Sequence, residues 1–289
     1  MRDYAITTDS SCDFDQALAD SLGVTVVPLS VQIGPRRFRN APGEAMDSHS
    51  FYQLLSQGEL AQTSAPNVEE FKAVWRPILQ SGRDLLYLGF SSGLSGTYHN
   101  AAIAAEDLRE EFPEARIITV DTLCASLGQG MLVDLTVQEK RQGKTLDEAA
   151  AFAEKNRLHL CHWFTVGDLS QLRRGGRLSA GKAIVGNLLN IKPVLHVDNE
   201  GHLVPMASAK GRKKSIEALV SHMEESAVAP EQQCVYISHG DCLADAQLLA
   251  QMVRDRLHVS SVTIGDVGPV IGAHSGAGTL ALFFVGTHR

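Results

Sequence analysis

A short apolar run, Leu85 to Phe90, gives way to a polar, glycine-rich turn, Ser91 to Gly96. Behind the turn come Tyr98, Ala101, Ala105, Leu108 and Phe112 at helical spacing, with Glu106, Asp107, Arg109 and Glu110 between them. The apolar residues fall on one face, so the stretch reads as buried strand, turn and amphipathic helix. The next apolar run, Arg116 to Asp121, is again a strand, ending in a carboxylate. A strand, a helix and a second strand in that order belong to a parallel sheet with right-handed crossovers. The turn also sets hydroxyls and free backbone N–H groups at a helix N-terminus, which suits a carboxylate or a phosphate.

The rest of the chain extends this pattern. Tyr4 to Thr8 reads as a strand, Asp9 to Asp13 as a polar turn, Phe14 to Leu22 as a helix and Val24 to Ile33 as a strand. Gly34 to Ala45 reads as a loop, and Asp47 to Gln57 as a helix. Thr63-Ser-Ala-Pro66 precedes a helix from Val68 to Gln80, and serves either as its cap or as a second hydroxyl-bearing loop facing the first. Ligands of parallel sheets sit beyond the carboxyl ends of the strands, so Asp9, Thr63, Ser91 to Gly96 and Asp121 are expected along one edge. Helices follow at Leu127–Arg141 and Thr145–Asn156, the second opened by a Thr145/Glu148 capping box.

Composition shifts near Leu158. A strand to Val166 leads into Gly167 to Gly181, which holds Leu172-Arg-Arg-Gly-Gly-Arg-Leu178. Ile191–Val197 and Leu203–Ala209 form a hairpin. Then come a helix over Ser215–Ser226, a strand over Val235–His239, a helix over Leu243–Leu257 and a strand over Ser260–Gly265. A glycine-rich loop around His274 ends in an apolar strand. The expected architecture is therefore α/β in two domains. Residues 1–157 carry a parallel sheet and the hydroxyl loops, and residues 158–289 carry a mixed sheet.

A net charge of −7 without a basic stripe argues against nucleic acid as a partner. No apolar run has transmembrane length, and no signal-peptide pattern opens the chain. Five scattered Cys without C-x-x-C fit a reducing cytoplasm and point to neither metal nor disulfide. No G-x-G-x-x-G or G-x-x-x-x-G-K-[ST] supports a nucleotide, and no His spacing supports a metal. Gly89-Phe-Ser-Ser-Gly93 matches the nucleophile elbow of α/β-hydrolases, with Asp121 and His239 in triad order, but no HGGG-type stretch supplies an oxyanion hole. A serine hydrolase of acyl esters is thus the alternative reading.

Taken in order, six stretches resemble the DegV family, fatty-acid-binding proteins of bacteria. They are Asp9-Ser-Ser-Cys-Asp13, Thr63-Ser-Ala-Pro66, Ser91-Ser-Gly-Leu-Ser-Gly-Thr-Tyr98, Leu172 to Leu178, Ile191-Lys-Pro193 and Gly268-Pro-Val-Ile-Gly-Ala-His274. The resemblance implies a non-catalytic protein that holds a long-chain fatty acid between its two domains, without a cofactor. Thr63, Ser64, Ser95, Gly96, Thr97 and His274 would surround the carboxylate. Arg174 and Arg177 would face a partner, a separate fatty-acid kinase that makes an acyl phosphate for phospholipid synthesis. The setting would be cytoplasmic, with room for transient membrane contact. The family usually has Pro in the last glycine loop, where this chain reads Ser275-Gly-Ala-Gly278.

The residues agree with this reading on their own terms. Burying an acyl chain of about 16 carbons offers on the order of 12 kcal/mol before association costs. That can drive binding without an ion pair, and no Arg or Lys lies in either hydroxyl loop. Neutral donors at a helix N-terminus then suffice for the head group.

Overall fold

The structure is a computed structural model and describes residues 2–44, 46–167, 169–178 and 190–289. The first half runs β1 (Tyr4–Asp9), α1 (Gln16–Leu22), β2 (Thr25–Val27), β3 (Ser30–Ile33), β4 (Arg36–Arg39), α2 (Ser48–Ser56), β5 (Ala61–Ser64), α3 (Val68–Gln80), β6 (Asp84–Gly89), α4 (Thr97–Glu111), β7 (Ile117–Asp121), α5 (Ser126–Arg141) and α6 (Leu146–Asn156). The second runs β8 (Leu160–Thr165), α7 (Ser170–Arg174), β9 (Ile191–Val197), β10 (Leu203–Lys210), α8 (Arg212–Ser226), β11 (Cys234–His239), α9 (Leu243–Leu257), β12 (Ser261–Asp266), α10 (Pro269–Ser275) and β13 (Leu280–Val285).

The N-terminal sheet is parallel, in the order β2-β1-β6-β7. Every residue of β1 and β6 is buried, because helices cover both faces. One face packs Leu85 and Tyr87 against Phe71 and Trp75 of α3 and Ala101, Ala105 and Leu108 of α4. The other packs Ile6, Leu86 and Leu88 against α5. The C-terminal sheet is mixed, in the order β10-β9-β8-β13-β11-β12, with only β11 and β12 parallel. Its strand β13 alternates faces. Leu280, Leu282 and Phe284 join the core under α8 and α9, whereas Ala281 and Phe283 point toward α5.

Helix α5 therefore lies between the two sheets, and its glycines permit the approach. A Cβ on Gly130 would sit 2.5 Å from the Phe14 ring. The first turn of α5 carries Ser126 and Leu127 into the space where the sheets face each other.

Four expectations are corrected. The strand over Val24–Ile33 is two strands, because Pro28 interrupts the ladder and β3 leaves for another sheet. The loop after it contains β4, an arginine-rich edge strand paired antiparallel to β3. Thr63 is not a loop of the parallel sheet: it lies on β5, also paired with β3, in a separate three-stranded antiparallel sheet. Asp9, Gly89 and Asp121 do end at one edge of the parallel sheet, but Thr63 reaches the site from elsewhere. The glycine-rich loop around His274 is likewise a helix, α10, started by Pro269 and stopped by Gly276 at φ +79°.

Candidate functional site

A cavity of about 210 Å³ opens where the small sheet, the Ser91–Gly96 turn, α10 and the C-terminal sheet meet. Phe90, Leu94, Phe164, Leu203, Ala281 and Phe283 contribute apolar walls, and polar side chains gather at two places, the first at one end.

At that end Thr63 Oγ1 lies 2.8 Å from His274 Nε2. The two come from β5 and α10, elements joined through the apolar packing of Val31, Phe51, Tyr52, Val270 and Ala273. Burial, reinforced by the Arg177 guanidinium, drops the His274 pKa to about 4. The ring is therefore neutral at pH 7. Among the described residues its Nδ1 and the neighbouring Ser275 Oγ are buried without a hydrogen-bond partner. Such orphans carry a desolvation cost that a ligand can remove. Ser95 enters from the opposite wall, its Oγ 2.8 Å from Thr97 Oγ1 and accepting the Thr97 N–H at 3.2 Å. Gly96 caps α4 with no side-chain bond, so its end of the helix keeps open N–H groups.

The sequence-expected residues divide. Thr63, Ser95, Gly96 and His274 line the cavity together. Ser64 does not: strand alternation turns it outward, and it is exposed. Thr97 is buried behind Ser95 and touches the site only through that hydroxyl. The two arginines also separate. Arg174 ends the short helix α7 and is exposed, whereas Arg177 lines the cavity. There Arg177 Nε donates to the Leu94 carbonyl at 3.1 Å, and Nη1 to that of Gly175. The remainder of the expected loop, 179–181, lies outside the described residues.

Sequence reasoning missed a second polar group deeper in the same cavity. Ser126 Oγ donates to Asp13 Oδ2 and lies 3.0 Å from Ser238 Oγ. His162 is beside them, its Nδ1 donating to the Leu160 carbonyl and its Nε2 accepting a long 3.4 Å contact from the Ala125 N–H. The only available signal was alternation. In β11, Tyr236 and Ser238 share the face turned to α5, so a serine stands where a core strand usually has an apolar residue. Burial pushes Asp13 up to about 8, against the opposing bonds from Ser126 and the Gly268 N–H.

The elbow serine is engaged elsewhere. Ser91 Oγ donates to the Gly201 carbonyl at 2.9 Å, Asp121 accepts the Ser92 and Leu123 N–H groups, and His239 pairs with Asp266 at 3.5 Å. Asp9, at the end of β1, is a buried hub that accepts from Tyr87, Phe90 and Gln129. On the far side of Asp13 a wider cleft of about 890 Å³ is edged by Asp15, Asp47 and Asp266. Its carboxylates repel an anion, so the smaller cavity is the better anion site. Among the described residues no cluster has the makeup of a metal site, and no helix is long and apolar enough to cross a membrane.

Comparison with known proteins agrees along the whole length. The model of the DegV family, described as uncharacterised protein, matches residues 3–287. A DegV domain-containing protein of Clostridium perfringens is 41% identical over 286 residues, covering 99% of this chain and 98% of its own. Among solved structures, one of a DegV family protein from Thermus thermophilus, described for its fatty acid binding, is 32% identical with a TM-score of 0.87, over 98% and 99% of the two chains. DegV of Bacillus subtilis, described as a fatty acid binding protein, is 27% identical with a TM-score of 0.85, over 98% and 99%.

Proposed function

The chain belongs to the DegV family, and from that premise we propose that it binds one long-chain fatty acid between an N-terminal domain, 1–157, and a C-terminal domain, 158–289. The observation that carries this is the layout of the cavity: neutral donors at the Thr63–His274 end, and beyond them largely apolar walls interrupted by the Ser126–Ser238 pair. Thr63 and Ser95 hydroxyls, the Gly96 N–H and His274 hold the carboxylate, and Ser275 Oγ adds a donor. Thr97 orients Ser95, and Ser64 stays outside. Arg177 supplies positive potential beside the carboxylate, its Nε and Nη1 anchored on two backbone carbonyls. Exposed Arg174 is the arginine left for a partner, a separate kinase that would phosphorylate the presented carboxylate.

On this reading the protein is a non-catalytic carrier of the cytoplasm, and its ligand stands in place of a cofactor. Nothing at Ser91 favours ester hydrolysis, since its hydroxyl proton is given to a backbone carbonyl rather than to a histidine. Denaturing extraction and mass spectrometry test the reading. About one fatty acid per chain is expected. Absence of lipid together with no uptake of added fatty acid would overturn it.

A further inference from the structure

The acyl cavity has a second polar point that a plain hydrocarbon chain does not use. Ser126, Ser238 and His162 line it among Phe164, Ala281 and Phe283. All three are buried, Ser238 completely. Two rulers place the serine pair away from the head group. Thr279 Oγ1 donates to the Gly276 carbonyl beside Ser275, and Ser238 is paired with Ala281, two residues past Thr279, which at about 3.4 Å per residue is roughly 7 Å further in. Gly268, the residue that caps α10, donates its N–H to Asp13 beside Ser126, and His274 lies six residues further along. At 1.5 Å per residue that span is about 9 Å. The pair thus meets an acyl chain part-way along its length.

The hydrogen-bond count leaves capacity there. With Asp13 ionised, Ser126 gives its proton to Asp13 and Ser238 gives its own to Ser126. Among the described residues no donor then reaches the acceptor sites of Ser238 Oγ. If Asp13 carries the proton instead, the relay reverses and Ser238 becomes a donor toward the cavity. A hydroxyl both gives and accepts, so it satisfies either direction. A methylene satisfies neither and leaves that spare capacity unused.

We propose that the Ser126–Ser238 pair is a second polar subsite of this cavity, selecting a long-chain fatty acid that carries a hydroxyl part-way along its chain. The proposal rests on the reading of the cavity as a fatty-acid site and adds the class of acyl chain it prefers.

The test is a calorimetric titration of delipidated protein with octadecanoic acid and with its mid-chain monohydroxy isomers, each hydroxyl position in turn. An unpartnered hydroxyl pushed into an apolar wall should weaken binding about ten-fold or more. One isomer or a pair of adjacent isomers is instead expected to bind at least as tightly as the plain acid, and the others more weakly. Ser238→Ala should weaken the favoured isomer about ten-fold while leaving the plain acid unchanged or tighter. If every isomer binds ten-fold more weakly than the plain acid, or if Ser238→Ala affects both ligands equally, the pair is only a structural tie and the proposal falls. The wild-type comparison decides the matter even if the variant does not fold. Failure of the plain acid and all isomers to bind would instead overturn the underlying fatty-acid reading.

Discussion

Thr63 approaches the head-group end of the cavity from β5 and Ser95 from the turn after β6, and each offers one hydroxyl. A hydrogen bond to a charged acceptor is worth about 1.5–3 kcal/mol. Thr63→Val and Ser95→Ala should therefore each cost roughly ten- to a hundred-fold in affinity for a free fatty acid, and much less for the matching alcohol. Ser91→Ala is the control from the same turn. Equal damage from Ser91 and Ser95 in calorimetry would put the carboxylate at the wrong end of it. The arginines divide in the same way: Arg177→Glu should weaken ligand binding at least ten-fold, and Arg174→Glu should leave it unchanged, because only Arg177 lines the cavity. His274 adds a pH signature. Its folded pKa of about 4 lies below the unfolded value near 6.5, so the unfolded chain takes up the proton first. Its stabilising effect is whole above pH 6.5 and lost as the pH falls through about 4, on the order of 3 kcal/mol. Lipid-free wild type should lose that much relative to His274→Gln in denaturant titrations across this window, and parallel curves would contradict it.

At the scale of elements, α10 fixes where His274 points, and it does so by close approach to α2. A Cβ on Gly272 would lie 2.5 Å from Tyr52 Oη and 3.1 Å from the Phe51 ring. Tyr52 cannot easily yield, since its hydroxyl donates to the Val267 carbonyl just before α10. Gly272→Ala should cost about 1–3 kcal/mol by overpacking. It should also lower fatty-acid affinity by moving His274 away from Thr63. Denaturant midpoints and ligand titration check both, and an unchanged affinity would mean that α10 does not position the head group. This element also shows where the sequence is legible. The strand, turn and helix around Ser91 to Gly96 declare themselves through periodicity, and their residues lie where that pattern puts them. Helix α10 hides because Gly272, Gly276 and Gly278 look like loop composition, when one of them is there for packing and the others for turning. Strand β5 hides because four residues give too little alternation to read. The deep serines hide for another reason: Ser126 and Ser238 come from segments 112 residues apart, and only the tertiary fold makes them neighbours.

For the whole molecule, the cavity is a gap in a core shared by two sheets, and α5 keeps those sheets in register without filling it. Gly128 and Gly130 draw α5 against both sides, so the space beside it is not closed by helix side chains. An apolar cavity left empty costs about 24 cal/mol per Å³, so 210 Å³ corresponds to on the order of 5 kcal/mol. That is a large share of the stability of an ordinary domain. The ligand is thus expected to act as a missing piece of core, one that N binds and U does not. Lipid-stripped protein should melt about 10 °C or more below the lipid-loaded form, at roughly 2–4 °C per kcal/mol for a chain of this size. Re-adding one equivalent of fatty acid should restore the loss, whereas a short acid of about four carbons, which reaches the hydroxyls but leaves the walls bare, should not. Scanning calorimetry of the three samples distinguishes the contributions. If the short acid restored the full melting temperature, the head-group bonds rather than the buried chain would be holding the two sheets together, and the cavity volume would have no bearing on stability.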